Sequence, residues 1–507
     1  MFGRQSSLFY AGWKLMKTPV AVFLALACAL PLGGARGSDL PNAKTVRTYM
    51  SFSMPIDPSN ILTQADLDLS HSLATSLIEW DESMQPTAAL ASSWETVSDS
   101  KIAIHLKPNA KWSDGSNITA SEVVASFDRA KRIHRDALDG LFGMVKQISA
   151  ANKQTVLFEL NVPVSKSGIY RKLTEPMYGI LHVNADGTLD LKKSSGPFLV
   201  GSSSASEIQL QVNRYWFDFD PAMPERIVVR AQSGTQTPDA ALKDTWANLT
   251  PSSSLVPESI AAAYASAHLS ALKRNLEKIF LLVPSVRLSN PNGRKLLQAL
   301  SSHLDSKDVV RGIRGYTISR QFYPPGYSLF DPAFPKPADE TVPSEFTSKR
   351  LTLLMVDSVA GNLLKDGLAN AVRTATGQTP FIRSVALGEL EKERAAGDYD
   401  LAAISIPVNE LDLDGAMSFF FGISPPLIPS AGDGDSDFKK RIDQAKKLES
   451  KAERNSEYRK IMAAATKAGS LLPLLHYSTV VLAKNGIRIS QKQATDETIG
   501  FSKVRFP

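Results

Sequence analysis

The chain has 507 residues, of which 43% are apolar and 21% charged, and a formal net charge of +6. That composition belongs to folded globular proteins and excludes the disordered and fibrous classes. Single hydrophobic cores stop growing at roughly 250–300 residues, so two or more lobes are expected.

The N-terminus differs in kind from the rest. Arg4, Lys14 and Lys17 precede an uncharged apolar run over 20–32, and no acid occurs before Asp39. This is the layout of a secretory signal, with Ala35-Arg36-Gly37 supplying small residues for cleavage before Ser38. The run is shorter than the roughly 20 apolar residues a membrane-spanning helix needs. The only cysteine, Cys28, lies inside it, so a chain starting at Ser38 has neither disulfide nor thiol chemistry. A second reading makes Cys28 a lipid-modified terminus after Leu26-Ala27, although Ala25 stands where a leucine is usual. Removing 1–37 takes away Arg4, Lys14, Lys17 and Arg36 and no acid, which leaves a charge of +2. No basic stripe interleaved with aromatics remains, and nucleic acid is not expected as a partner.

Further along, Ile102, Ile104 and Leu106, then Val156, Phe158 and Leu160, then Ile208, Leu210 and Val212 alternate with their neighbours as half-buried strands do. Between them Thr119 and Glu122 form a capping box, and Val123, Phe127 and Ala130 recur on one helical face. Proline and glycine in Tyr323-Pro324-Pro325-Gly326 and over 331–343 predict a long surface loop. From Arg350 the pattern becomes strand 351–356, helix 362–374, strand 381–386, helix 388–396 and strand 399–406. That order predicts βαβ units on a largely parallel sheet, whose ligands sit beyond the carboxyl ends of the strands. The loop after Ile406 is therefore a candidate site. The charged, periodic stretch 438–469 reads as two helices with a solvated face.

Recognisable catalytic chemistry is missing from the pattern. The seven histidines, His71, His105, His134, His182, His268, His303 and His476, stand singly, and no pair has the metal-binding i, i+4 spacing. The chain has no Gly-x-Ser-x-Gly elbow and no phosphate-cradling Gly-x-x-x-x-Gly-Lys loop. Asp433, Asp435 and Asp437 alternate like the first ligands of a calcium loop. However, Phe438 stands where the turn needs glycine and Gln444 where a glutamate should close the shell, so a solvated loop is expected. No enzyme activity, metal or cofactor is expected.

The run HLKPNAKWSDGSNITASEVVASFDRAKR, His105 to Arg132, resembles the signature of the peptide- and nickel-binding family of extracellular solute-binding proteins, the dipeptide and oligopeptide receptors of ABC importers. Ile56-Asp57-Pro58, Leu90-Ala91-Ser92-Ser93-Trp94, Ser195-Gly196-Pro197-Phe198, Asn213-Arg214-Tyr215-Trp216, the run 290–310 and Tyr399-Asp400-Leu401 fit further family elements in order. Ser194 replaces a usual glycine. The resemblance implies an α/β, periplasmic-binding-protein-like two-lobed fold (type II, cluster C) with an extra inserted domain. Its implied parts are a signal peptide over 1–37, lobe I from 38–75, 188–283 and 476–507, an inserted domain over 76–187, and lobe II over 284–475, with hinge crossings near Pro284 and His476. It also implies a monomeric periplasmic receptor that passes a peptide to an inner-membrane ABC permease.

The ligand loop departs from the family pattern. In peptide-binding members the Tyr-Asp strand leads to Gly-Trp and then to an aspartate for the peptide's ammonium. This chain has Ser405-Ile406 and Asn409 at those places. Glu410, Asp412 and Asp414 could supply the charge from a shifted loop, with Phe419 beside them, or they could form an ordinary exposed loop. Tyr323 and Arg320, and also Tyr178 and Arg287, are cleft candidates by their place near loops. A non-peptide solute such as a metal chelate, a sugar or an opine is the alternative ligand, and a sensing protein that no longer transports is the alternative role.

Overall fold

The computed structural model describes residues 44–507 apart from 62–63, 82–85, 134–140, 162–165, 233–236, 267–271, 304–305, 333, 335–339, 387–388, 409–412, 423–437, 449, 485 and 490–499. The signal expected over 1–37, Cys28 and the acids Asp433, Asp435 and Asp437 lie outside the described residues.

The chain opens with strand β1 (Thr45–Met50) and helix α1 (Gln64–Leu73). Then follow β2 (Ala91–Ser98), β3 (Lys101–Leu106), helix α2 (Ala120–Ile133), β4 (Val145–Asn152) and β5 (Thr155–Leu160). The next strands are β6 (Phe198–Ser203), β7 (Glu207–Val212), β8 (Arg226–Ala231), β9 (Leu249–Ser253) and the long β10 (Leu272–Pro284). Helix α3 (Pro291–His303) and strand β11 (Tyr316–Ile318) lead to the expected alternation of β12 (Thr352–Val356), α4 (Val359–Thr376), β13 (Phe381–Val385), α5 (Leu390–Ala396) and β14 (Leu401–Pro407). Helices α6 (Leu413–Gly422), α7 (Phe438–Ala445) and α8 (Lys451–Lys467) precede β15 (Leu472–Ala483).

Three sheets carry these elements. The first, in the order β1-β8-β7-β6, is antiparallel except for the parallel pair β1 and β8. The second, β2-β3-β5-β4, is wholly antiparallel, and its alternating residues Ile102, Ile104, Val156 and Phe158 are fully buried against Val123 and Phe127 of α2. The third runs β9-β15-β10-β14-β12-β13, with β11 also on β15. Its strands β12, β13 and β14 are parallel, as the βαβ pattern predicts. Antiparallel β10 joins that parallel half to β15.

Local chemistry fixes the element ends. The Ser358 hydroxyl accepts from the Gly361 amide and starts α4 three residues before the periodic apolar pattern alone suggests. Ser450 caps α8 through the Glu453 amide, which separates α7 from α8 and makes two helices of the charged stretch.

The buried side chains gather in separate cores. One, with Val46, Phe198, Leu210 and Val229, takes in Leu249, Val481 and Ala483 from β9 and β15. Another lies within residues 77–180. Two more cover the opposite faces of the third sheet: Ile279, Leu281, Ile404 and Ile406 belong to one, and Phe280, Leu282, Ala403 and Tyr477 to the other. Strand β15 thus gives its first half to one set of cores and its last residues to another. Pro284 sits at the far end of β10, paired with Leu401.

Candidate functional site

The motif residues build framework. Trp112 is fully buried, and its indole Nε1 donates to Glu122 Oε1 at 3.0 Å. Glu122 Oε2 accepts from the Thr119 amide at 2.9 Å and from its hydroxyl at 2.7 Å, closing the capping box on α2. At Gly196 a Cβ would come within 2.6 Å of the backbone of Leu73 and Ala74, so only glycine allows this approach. Ser194, in place of the usual glycine, donates its hydroxyl to the Leu73 carbonyl at 2.7 Å and accepts from the Gly196 amide at 2.9 Å. Asn213 then donates to the Gly196 carbonyl at 2.8 Å, and the Trp216 indole donates to the Thr75 hydroxyl at 3.1 Å. Each of these polar groups is satisfied inside the protein, which leaves none of them to hold a ligand.

Parallel strands end in two places where a crevice can form. The first lies beyond Met50 of β1 and Ala231 of β8. The loop after Met50 is braced there: Asp66, buried on α1, accepts from the Ser53 amide and hydroxyl, both at 2.9 Å. The Arg129 guanidinium of α2 grips both oxygens of Asp57, at 3.2 Å and 2.6 Å.

The second lies beyond the carboxyl end of β14. The register sets Ile406, Ile279, His476 and Thr317 side by side across β14, β10, β15 and β11. Cross-strand partners share a face, so His476 points with Ile279 and Ile406 into their core. It is 1% exposed, and its Nε2–H donates to the Phe322 carbonyl at 2.9 Å. Nδ1 has no hydrogen-bond partner among the described residues. Burial drives the imidazole pKa down to about 4, so the ring is neutral at neutral pH. On the opposite face the Tyr477 hydroxyl meets the Ser405 hydroxyl at 2.5 Å, and burial pushes the phenol up to about 12.

The residues singled out from sequence fall into three groups. Tyr323 is buried in the core that holds Ile406, Met417 and Phe420. It contacts Phe322, whose ring centroid is 5.1 Å away, while Phe322 in turn meets Phe420 at 4.8 Å. Arg320 is exposed two residues before Phe322. Asp414 and Phe419 lie on α6, which packs through Leu413, Met417 and Phe420 into the same core. Asn409, Glu410 and Asp412 lie outside the described residues. The chain thus brings Tyr323 and α6 to the carboxyl end of β14. Tyr178 and Arg287 have other partners: the Tyr178 hydroxyl accepts from the Leu141 amide at 3.1 Å, and exposed Arg287 pairs with Asp398 at 2.7 Å.

His476 and the Ser405–Tyr477 pair were missed by the sequence reading. The one available signal was a lone histidine inside the apolar run 471–483. Among the described residues no group of three or more histidines, cysteines and acids could hold a metal ion, and no helix is long and apolar enough to cross a membrane.

Comparison with known proteins agrees with this architecture. The family described as bacterial extracellular solute-binding proteins, family 5 Middle, matches residues 85–365, more than half of the chain. The periplasmic oligopeptide-binding protein OppA of Salmonella typhimurium is 31% identical over 126 residues, a match that spans 25% of this chain and 22% of OppA. Among solved structures, NikA from Brucella suis in complex with Fe(III)-EDTA superposes with a TM-score of 0.72 at 13% identity, covering 91% of this chain and 100% of NikA. AgaA from A. tumefaciens R10, in complex with agropinic acid, gives 0.68 at 16% identity and covers 91% and 99%. The fold is accordingly the α/β, periplasmic-binding-protein-like one expected from the motif resemblance, the two-lobed type II (cluster C) form with an inserted domain. With a family match across 85–365 and the fold shared over nine-tenths of its length, the chain belongs to the bacterial extracellular solute-binding proteins, family 5.

Proposed function

We propose that this protein is the exported receptor of an ABC importer, which captures a peptide between two lobes and passes it to an inner-membrane permease. Lobe I consists of 38–75, 188–283 and 476–507, lobe II of 284–475, and the inserted domain of 76–187; a signal over 1–37 directs the chain to the periplasm, where it acts as a monomer. The observation that carries the reading is a shared strand: β15 runs from a parallel-sheet core, which holds Leu472, Leu475 and Tyr477, into the core around β1 and β8, which holds Val481 and Ala483, and β10 is paired along it. Two bodies joined by strands of this kind can close on a ligand that binds both, and only such differential binding shifts the equilibrium. The identity to an oligopeptide-binding protein favours a peptide as cargo. The ligand then meets the braced loop after Met50 on one side and the loop after β14, with Asn409, Glu410, Asp412, Asp414 and Phe419, on the other.

A second ligand class, a metal chelate or an opine, is favoured by one feature of this chain. Ser405 is spent on Tyr477, and Ile406 is packed in a core, so neither reaches out to a peptide terminus. Relatives of the same fold were solved with Fe(III)-EDTA and with agropinic acid.

Native mass spectrometry of protein purified from its own host, followed by thermal shift against a peptide length ladder, separates the two. A bound peptide mass is expected, with stabilisation of about 2.7 kcal/mol at a hundredfold excess over Kd. Peptides without effect, together with a chelate or opine mass on the native protein, would transfer the assignment to the second class. Turnover of any substrate by pure protein would remove both.

A further inference from the structure

Where β15 passes from one core to the next, its pairing with β10 breaks: Lys273 lies opposite Val480 and Glu277 opposite Ser478, so three residues of β10 face the single Thr479. On the other edge of β15, level with that break, a side chain continues the ladder where β9 ends. The Ser254 amide donates to the Ser478 carbonyl at 2.8 Å, and the Ser478 amide donates back to the Ser254 hydroxyl oxygen, also at 2.8 Å. The same hydroxyl donates its own proton to the Gly315 carbonyl at 2.6 Å. Gly315 is held so closely that a Cβ there would lie 1.6 Å from the Ser254 carbonyl oxygen, and its φ of +87° is open only to glycine without strain. It directly precedes β11, whose Tyr316 pairs with Tyr477 on the parallel-sheet side, whereas Ser254 directly follows β9, which pairs with the last residues of β15. One hydroxyl therefore ties together three chain segments at the point where the two bodies share a strand.

We infer that Ser254 is a hinge latch: its hydroxyl bridges Ser478 and Gly315 and sets the resting angle between the two bodies. A serine suits this role because one oxygen can accept from one partner and donate to another at once, and because its bonds can shorten or part without disturbing a packed apolar contact. A bulge lets a strand bend there, and the latch restricts the bend to a narrow range. The inference rests on the two-lobe reading above and adds to it the residue that holds the hinge.

The test is a spin-label distance measurement between Ser203→Cys on β6 and Val286→Cys after β10, both exposed, in a chain whose single natural cysteine is removed by Cys28→Ser. A narrow distance distribution is expected with Ser254 intact. Ser254→Ala should broaden it or add a second population, and Ser254→Thr, which keeps the hydroxyl, should restore it. An unchanged distribution in Ser254→Ala overturns the latch. If that parent distribution still shifts when cargo recovered from the host is added, the receptor reading survives the loss; if cargo is present and nothing moves the distribution, that reading fails too. Should Ser254→Ala not fold, amide exchange in the unsubstituted protein decides: the Ser254 and Ser478 amides are expected to exchange together and at least tenfold more slowly than those of 274–276. A Ser478 amide that exchanges as fast as those of 274–276 overturns the latch as well.

Discussion

The corner around Trp112 and the strand floor around His476 both bury polar aromatic groups, but they satisfy them differently. In the corner the side-chain hydrogen bonds are local: Trp112 bonds Glu122, and Glu122 bonds Thr119. On the floor the partners are remote, with 154 residues between His476 and Phe322 and 72 between Tyr477 and Ser405. One ring nitrogen of His476 has no partner among the described residues. Unpaired polar groups in a dry core cost free energy. The corner is thus closed largely by local bonds, and the floor by bonds that only strand register brings together.

The largest effect should come from the corner. Trp112→Ala removes a fully buried indole and the donor to Glu122, and a loss of about 3–5 kcal/mol is expected in urea unfolding. A loss below about 1 kcal/mol would break the contrast between the two regions.

The floor should reveal itself through pH. The folded-state pKa of His476 is lowered to about 4 by burial, against about 6.5 in the unfolded chain, so the unfolded state takes up the proton first. Its contribution is fully present above pH 6.5 or so and is lost as pH falls towards 4, by up to about 3 kcal/mol. His476→Gln keeps a donor for the Phe322 carbonyl but cannot titrate. It should remove this part of the slope in urea titrations run between those limits, and an unchanged slope would place the acid sensitivity elsewhere.

A smaller effect sharpens the comparison. Tyr477→Phe leaves the Ser405 hydroxyl without its partner and should cost about 1–2 kcal/mol. In a double-mutant cycle with Ser405→Ala, the combined loss should fall short of the sum of the single losses, since both remove the same bond. Additive losses would mean the two hydroxyls do not act as a pair.

Much of this was legible from the chain alone. The alternation of Ile102, Ile104 and Leu106, the Thr119–Glu122 box and the βαβ order from Arg350 each became the expected element, because periodicity and capping depend on neighbours three or four residues away. The candidate site was read less fully. Tyr323 and α6 do lie at the carboxyl end of β14, but the same sequence pattern could not tell that Tyr323 is buried in a core while Arg320 is exposed.

The sequence by itself determined the class of fold, the strand and helix order, and the framework motifs that place the protein in its family. Tertiary structure alone decided which of seven similar-looking histidines would be sealed beside Phe322, that Ser405 would be spent on Tyr477, and that Ser254 would meet Ser478 and Gly315. The division has a physical cause. Local hydrogen bonds and side-chain periods are written into adjacent residues, whereas a contact across 150 residues exists only once strand register has chosen which faces and which ends come together.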